Sequence, residues 1–435
     1  MDEVMRVGLL GCGNVGAAVA RMLHEHAEDI QARSGARIEV ARVAVRDLSK
    51  PREVPVPSGA FTDDAAGVAG DPDVDVVVEV IGGIEPARSL ILRAFDTGKS
   101  VVTANKELLA TGAGELFEAA YHRGVDLLYE ASVGGGIPLI RPLRESLAGD
   151  RICRFMGIVN GTTNYVLTRM AEAGLSLDEA VAEAQSLGYA EADPTADVQG
   201  HDAAAKAAIL ATIAFDLPVV TGDVYREGIS NLSAEDITFA HGLGYEVKLL
   251  AIAEADGDAV AVRVHPAMIP KEHPLASVRE SFNAVYLEGE KVGPVMLYGR
   301  GAGGNPTATS VVGDLIELAR NRAAGSLPSV IHHMPRAAGV RARRIRPMED
   351  LTTQYYILME VADLPGVLAS IATVFALHEV SIKQVWQEGH GDRARLVMIT
   401  HRASERSLRA CVAALEGIEP VKSVRSVLRV EAAEG

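Results

Sequence analysis

Asp202 and Lys206 stand four apart at the start of a helical run whose continuation, Ala207 to Phe215, is apolar nearly all round. That spacing puts a carboxylate and an ammonium on one helix face. On a solvated face such a pair contributes only about 0.3–0.5 kcal/mol. Against an apolar helix both charges are costly unless paired, and partial burial would lower the lysine pKa towards that of a useful proton donor. Just upstream, Glu191, Asp193 and Asp197 sit on a turn-forming segment between Gly188 and Gly200. Several carboxylates beside a lysine acid suit reduction of a carbonyl compound that carries a positive group. In that chemistry Lys206 protonates or stabilises the developing alkoxide, and Glu191 or Asp197 holds a substrate ammonium.

A reductant site is written at the other end of the chain. Gly11-Cys12-Gly13-Asn14-Val15-Gly16 follows a strand pattern directly and opens a helix pattern. This is the context a GxGxxG needs to bind a dinucleotide: a tight turn, close backbone approach to pyrophosphate, and helix N-terminal amides facing the anion. At the end of the second strand pattern, Arg46 would favour the 2′-phosphate of NADPH and Asp47 could bind the ribose hydroxyls of NADH. Both remain open, and the reading leans to NADPH. Thr103-Ala104-Asn105-Lys106 follows another strand at the carboxyl edge where open α/β sheets bind ligands, which would bring Lys106 near nicotinamide and substrate.

The elements that must position these groups follow from periodicity. β-branched runs at Met5 to Leu10, Ile38 to Val45, Val74 to Ile81 and Ser100 to Thr103 alternate with amphipathic stretches such as Val15 to His26, which predicts an α/β parallel sheet wrapped by helices. A second, α+β region opens with a strand at Ile152 to Val159. A helix follows, begun by a Ser176/Glu179 capping box and ended near Gly188. Strands are expected at Val247 to Ala253, Ala259 to Val264 and Val295 to Tyr298. The turn-rich GRGAGGNPTATS then leads to a helix over Val311 to Ala319, which could return the chain to the first sheet. Ser329 to Leu351 reads as a linker. Beyond it the order strand, helix, strand, strand, helix, strand is a ferredoxin-like βαββαβ unit.

The 435 residues suffice for about three domains at roughly 150 each. A net charge of -16, from 42 Lys+Arg against 58 Asp+Glu, argues against nucleic acid or anionic lipid as a partner. Cys12, Cys153 and Cys411 are too scattered for a disulfide framework or a metal-ligand pattern, which fits a reducing, cytoplasmic location. None of them has the neighbours of an activated thiolate, so a thioester-forming aldehyde dehydrogenase is a poor reading. The sequence shows neither a signal peptide nor a membrane-spanning run.

Taken together these motifs resemble the homoserine dehydrogenase family, in its bacterial monofunctional form with a C-terminal ACT domain. The resemblance covers nearly the whole chain. It is carried by the GxGxxG start, Thr103 to Lys106, Glu130-Ala131-Ser132-Val133-Gly134-Gly135-Gly136-Ile137-Pro138, Gly157 to Asn164, and the block from Glu191 to Lys206. It implies a Rossmann-type NAD(P)-binding domain over 1–135 and 300–328, a catalytic and dimerisation domain over 136–299, a linker over 329–351 and an ACT domain over 352–435. The implied reaction interconverts L-aspartate 4-semialdehyde and L-homoserine with NADPH or NADH. On the family pattern Lys206 is the proton donor, Asp202 its partner and Lys106 a second catalytic lysine. Glu191 and Asp197 bind substrate, and Gly303 adds a cofactor contact. Main-chain carbonyls of Glu130, Val133, Gly135 and Ile137 would hold a monovalent cation, Na+ or K+. The ACT unit, with Asp363-Leu364-Pro365-Gly366-Val367-Leu368 in its first turn, suggests threonine feedback, the alternative being a pure dimerisation domain, and a homodimer or homotetramer is expected. The competing reading is a noncatalytic sensor of nucleotide and amino acid, which would not need the carboxylate and lysine cluster.

Overall fold

Valine-rich runs short enough for strands form the middle of the N-terminal sheet, where both faces are covered and a continuous apolar run is required. The structure, a computed structural model, describes residues 3–326, 343–389 and 394–431. Strands β1 (Glu3–Leu10), β2 (Ala36–Ala44), β3 (Phe61–Thr62), β4 (Val76–Glu79), β5 (Ser100–Thr103) and β6 (Leu127–Leu128) are joined in the order β3-β2-β1-β4-β5-β6, all parallel. Between them run α1 (Asn14–Glu25), α2 (Ala27–Ser34), α3 (Ala65–Gly70), α4 (Ala87–Asp96) and α5 (Lys106–Arg123). The sheet reverses direction of growth at β1/β4, so the carboxyl ends of β1 and β4 border the crevice where such sheets take ligands.

The next elements are β7 (Ile152–Ile158), α6 (Gly161–Ala173), α7 (Leu177–Ser186), α8 (Thr195–Val198), α9 (His201–Phe215), β8 (Tyr225–Arg226), α10 (Ala234–Gly242), β9 (Tyr245–Asp256) and β10 (Ala259–Pro270). The Ser176/Glu179 capping box opens α7 as expected. β9 and β10 are longer than anticipated, because Pro266 and Pro270 mask the end of β10 in the sequence. Next come β11 (Phe282–Gly289) and β12 (Gly293–Arg300), hydrogen-bonded to one another, and α11 (Gly304–Ala323). β11 was not foreseen. α11 begins inside the turn-rich segment, since Pro306 is tolerated in a first helical turn and the Thr/Ser residues after it simply continue the helix. Its Val311, Leu315 and Leu318 pack into the same core as Val7 and Leu9 of β1 and Val19 and Leu23 of α1.

The remaining elements are β13 (Arg344–Ile345), β14 (Thr352–Val361), α12 (Val367–Leu377), β15 (Ile382–Glu388), β16 (Ala394–Thr400), β17 (Ala403–Ser404), α13 (Glu405–Leu415) and β18 (Val421–Val430). This is the expected βαββαβ order, with the two-residue β17 added. Part of the expected linker, 329–342, lies outside the described residues. Its end is ordered, with β13 paired to β10 through Ala259↔Arg344.

The chain groups into two compact units, one of Met1–Cys153, Ala205–Val224 and Asn283–Ala342, the other of Arg154–Ala204, Tyr225–Phe282 and Arg343–Gly435. Within the second unit one sheet runs β7-β9-β10-β18-β14-β16-β15. The C-terminal module thus continues the sheet of the middle region through a short parallel pairing, Ala267↔Arg429 and Met268↔Val430. Among the described residues, no helix is long and apolar enough to cross a membrane.

Candidate active site

The glycine turn has the geometry a pyrophosphate needs. Gly11 has φ +99°, and its N–H donates to the Ala44 carbonyl at 3.0 Å, which ties the turn to β2. A Cβ on Gly16 would lie 2.1 Å from the Gly11 carbonyl oxygen, so only glycine lets α1 start so close to the strand. A Cβ on Gly13 would meet nothing within 4 Å, and no side chain caps α1 at that position. Gly13 and Asn14 are exposed, Cys12 and Val15 half-buried. Burial pushes the Cys12 thiol up, against the pull of Arg52 and Arg21. Gly303, at φ +115°, caps α11, and a Cβ on Gly304 would come within 2.8 Å of the Asn14 carbonyl oxygen. Two helix N-termini therefore meet at one place, a partial positive charge suited to a dinucleotide phosphate. The residues fit that group. Arg46 is exposed just beyond β2, whereas Asp47 turns its Oδ1 onto the Ser49 N–H at 2.9 Å and Oγ–H at 2.6 Å.

Lys106 is placed by a buried chain of hydrogen bonds. Glu79, fully buried at the end of β4, accepts from Thr103 Oγ1 at 2.6 Å and from the Ile81 and Gly82 amides. Thr103 Oγ1 accepts the Asn105 N–H at 3.0 Å, and Asn105 Oδ1 caps α5 by accepting the Leu108 N–H at 3.1 Å. Lys106 is the first residue of that helix and is half-buried. Sequence reasoning missed Glu79; its only mark was a single acid ending an otherwise apolar strand.

The Glu130 to Ile137 segment is a tight turn. Glu130–Ser132 form a 3-10 turn, and Gly134 and Gly135 are left-handed at φ +76° and +56°. The Glu130 carboxylate is spent on the amides of Leu139, Ile140 and Arg141, at 2.6–2.9 Å. The Gly135 carbonyl accepts Ser310 Oγ–H at 2.6 Å, and Arg141 pairs with Asp314 at 2.6 Å. The carbonyls of the segment are neutral oxygen donors of the kind hard cations take, and its one carboxylate is turned to backbone amides. Among the described residues, no group of His, Cys, Asp and Glu side chains is placed to hold a metal.

In the second unit the carboxylates converge on Asn160. Asn160 ends the loop after β7 and caps α6, its Oδ1 accepting the Thr163 N–H at 2.8 Å. That fixes its amide, which donates through Nδ2 to Asp197 Oδ1 at 2.6 Å and to Asp202 Oδ2 at 2.8 Å. Asp197 lies in α8, and Asp202 in the first turn of α9. Lys206, one turn further along α9, is 8 % exposed, as is Asp202. Glu191 is exposed on the segment before α8, which is held by Gln185 Nε2 donating to the Glu191 carbonyl at 3.1 Å and by Thr162 Oγ–H donating to the Tyr189 carbonyl at 2.6 Å. The structure thus joins Asp197 and Asp202 through one amide and leaves Glu191 towards solvent. The role of Asn160 was invisible to spacing arguments, because the contact spans separate elements.

Comparison with known proteins agrees along the chain. Residues 138–316 match the homoserine dehydrogenase family model, 11–130 its NAD-binding domain and 355–420 the ACT domain. The chain belongs to the homoserine dehydrogenase family. It is 49 % identical to homoserine dehydrogenase of Mycobacterium tuberculosis over 99 % of this chain and 98 % of that protein. It is 42 % identical to that of Bacillus subtilis over 99 % of both. The homoserine dehydrogenase of Thiobacillus denitrificans superposes with a TM-score of 0.91 at 40 % identity, covering 99 % of each chain. A hyperthermophilic archaeal homoserine dehydrogenase, solved in complex with NADPH, matches 72 % of this chain and 97 % of its own with a TM-score of 0.60 at 29 % identity. As a homoserine dehydrogenase family member, the chain is an oxidoreductase acting on a CH–OH group with a nicotinamide cofactor, and the ACT domain marks it as consistent with amino-acid regulation.

Proposed function

We propose that the chain interconverts L-aspartate 4-semialdehyde and L-homoserine, with Lys206 as proton donor to the aldehyde oxygen. The observation that carries this assignment of the site is the Asn160 amide bridging Asp197 and Asp202 one turn before a nearly buried Lys206. When bound, the reduced nicotinamide supplies a hydride to the aldehyde carbon. Lys206 passes its proton to the oxygen as alkoxide charge develops, so carbonyl plus hydride plus proton gives the alcohol. Asp202, held by Asn160, orients the ammonium of Lys206, and Lys106 assists as a second lysine from the cofactor sheet. Asp197 and Glu191 hold the substrate ammonium.

The dinucleotide rests on Gly11, Cys12, Gly13, Asn14, Val15 and Gly16, with Thr103 and Gly303 completing its contacts. Arg46 reads the 2′-phosphate, which makes NADPH the preferred cofactor over NADH. Two supports stand behind this preference: Asp47 is engaged with Ser49, and the archaeal relative was solved with NADPH. The carbonyls of Glu130, Val133, Gly135 and Ile137 hold Na+ or K+. The domain limits are 1–135 with 300–328, 136–299 and 352–435, with 329–351 between them. The enzyme works in the cytoplasm as a homodimer or homotetramer, and threonine acts on the ACT domain.

The test is absorbance of reduced nicotinamide with purified protein, L-homoserine, potassium or sodium, and NADP+ or NAD+, repeated with threonine. The expected signal grows faster with NADP+. Its absence with both cofactors in folded protein would return the chain to the noncatalytic sensor reading.

A further inference from the structure

Arg429, near the end of β18 in the C-terminal module, is 5 % exposed and clasps two carboxylates. Its Nη1 and Nη2 donate to Glu227 Oε2 and Oε1 at 2.9 and 3.0 Å. Its Nε and Nη2 donate to Glu405 Oε2 and Oε1 at 3.0 and 2.6 Å. Glu405 opens α13 of the same module, whereas Glu227 follows β8 of the middle region. Tyr225 donates its hydroxyl to Glu227 and sits under both the Arg429 and Arg409 guanidinium groups. A bidentate pair of this kind fixes direction as well as distance.

The segment so held presses on the turn that separates the two bridged aspartates. Glu227 N–H donates to the Val264 carbonyl at 2.8 Å, and Ile229 N–H to the Val198 carbonyl at 2.8 Å. Arg226 Nη1 donates to the Gln199 carbonyl at 2.6 Å. A Cβ on Gly228 would lie 2.3 Å from the Val198 carbonyl oxygen, and one on Gly200, which has φ +77°, 3.4 Å from the Glu227 carbonyl oxygen. Residues 198–200 are therefore backed by 226–229 without a gap, and they join Asp197 to Asp202.

We infer that Arg429 and Glu227 are positioning residues for the reaction: the C-terminal module, through this ion pair and the 225–229 segment, sets the placement of Asp197 against Asp202. The inference rests on the substrate-binding role proposed above for Asp197. Removing the pair lets the 198–200 turn relax, so the Asn160 amide no longer meets both carboxylates, and substrate is held less well while the glycine turn of the other unit is untouched.

The experiment uses the full chain. Asp197→Asn is the reference, and Glu227→Gln and Arg429→Met are the tests. Arg429→Lys is the conservative rescue, and Arg395→Met is a control that breaks another ion pair between the C-terminal module and the middle region, Arg395 of β16 with Glu235 of α10, without touching 225–229. Expected are rises in homoserine KM of about tenfold for Glu227→Gln and Arg429→Met, a partial return with Arg429→Lys, and dinucleotide KM within about twofold throughout. The Arg395 control should change neither constant. Should Arg429→Met not fold, Glu227→Gln decides, since Arg429 then still pairs with Glu405. Unchanged homoserine KM in folded Glu227→Gln, with a raised KM in Asp197→Asn, overturns this inference alone. Unchanged KM in Asp197→Asn overturns the role of Asp197 and this inference with it.

Discussion

Asn160 donates its side-chain amide to Asp202 at 2.8 Å while its other side-chain atom caps α6. The same Nδ2 reaches Asp197, so one residue whose rotamer is set by a helix cap orders two carboxylates. Asn160→Ala should therefore lower kcat/KM for homoserine by about 10–100-fold with dinucleotide KM unchanged. Asn160→Asp, which puts a third carboxylate there, should be worse. Steady-state kinetics of both variants checks this, and equal losses for homoserine and cofactor would count against the bridge.

Lys206→Ala is expected to cost about 10²–10⁴ in kcat, the usual worth of a positioned acid. Fluorescence titration of reduced cofactor should give an affinity close to that of the parent, because the lysine acts on the alkoxide. Near-normal turnover would remove Lys206 from the mechanism.

Two alanine substitutions in the glycine turn should separate stability from binding. Gly16→Ala drives a methyl into the Gly11 carbonyl and should destabilise by about 1–3 kcal/mol or prevent folding. Gly13→Ala meets nothing in the protein, so its melting temperature should stay put while dinucleotide KM rises about tenfold or more. A cofactor affinity unaffected by Gly13→Ala would place the pyrophosphate elsewhere.

Arg46→Ala should raise KM for NADP+ by about 10–100-fold and leave KM for NAD+ within about twofold. Parallel increases for both cofactors would mean that Arg46 does not read the 2′-phosphate.

The second unit should be labile to acid. Burial holds the fully buried His265 neutral, its pKa pushed down to about 4, with Arg429 and Arg263 adding to the shift. Burial opposes ionisation of Glu431, but Arg263 and Arg154 outweigh it and hold the carboxyl at about 2. Both folded values lie below the unfolded ones, so each contribution is complete above the unfolded pKa and lost as pH falls through the folded one. The loss begins near pH 6.5 with His265 and continues from about 4.5 towards 2 with Glu431. Urea unfolding followed by Trp386, the one tryptophan of the chain, should show the midpoint dropping between pH 7 and pH 4. A flat profile would contradict the burial of His265.

Much of the fold was legible because its elements are local. Ser100–Thr103, the capped α7 and the βαββαβ order each follow from periodicity and capping within one short window. β11 and the early start of α11 were not, since half-buried strands and a proline-bearing first turn give weak local signals. Glycines 11, 13 and 16 announced the tight strand-to-helix turn because their spacing is itself the geometry. Glu79 and Asn160 gave no such sign, because their partners come from other elements.

By itself the sequence marked the glycine turn, the carboxylate and lysine candidates, and the family they resemble, because each is a matter of residue type at fixed separation along the chain. Only the tertiary structure decided that one asparagine bridges Asp197 and Asp202, and that Glu130 turns its carboxylate to backbone amides. It alone also revealed that Arg429 of the last module backs the turn between the two aspartates through Glu227. These are contacts between groups distant in sequence, and no local preference encodes them. Packing selects the partner, since a buried polar group left without one costs more than any single propensity can offset.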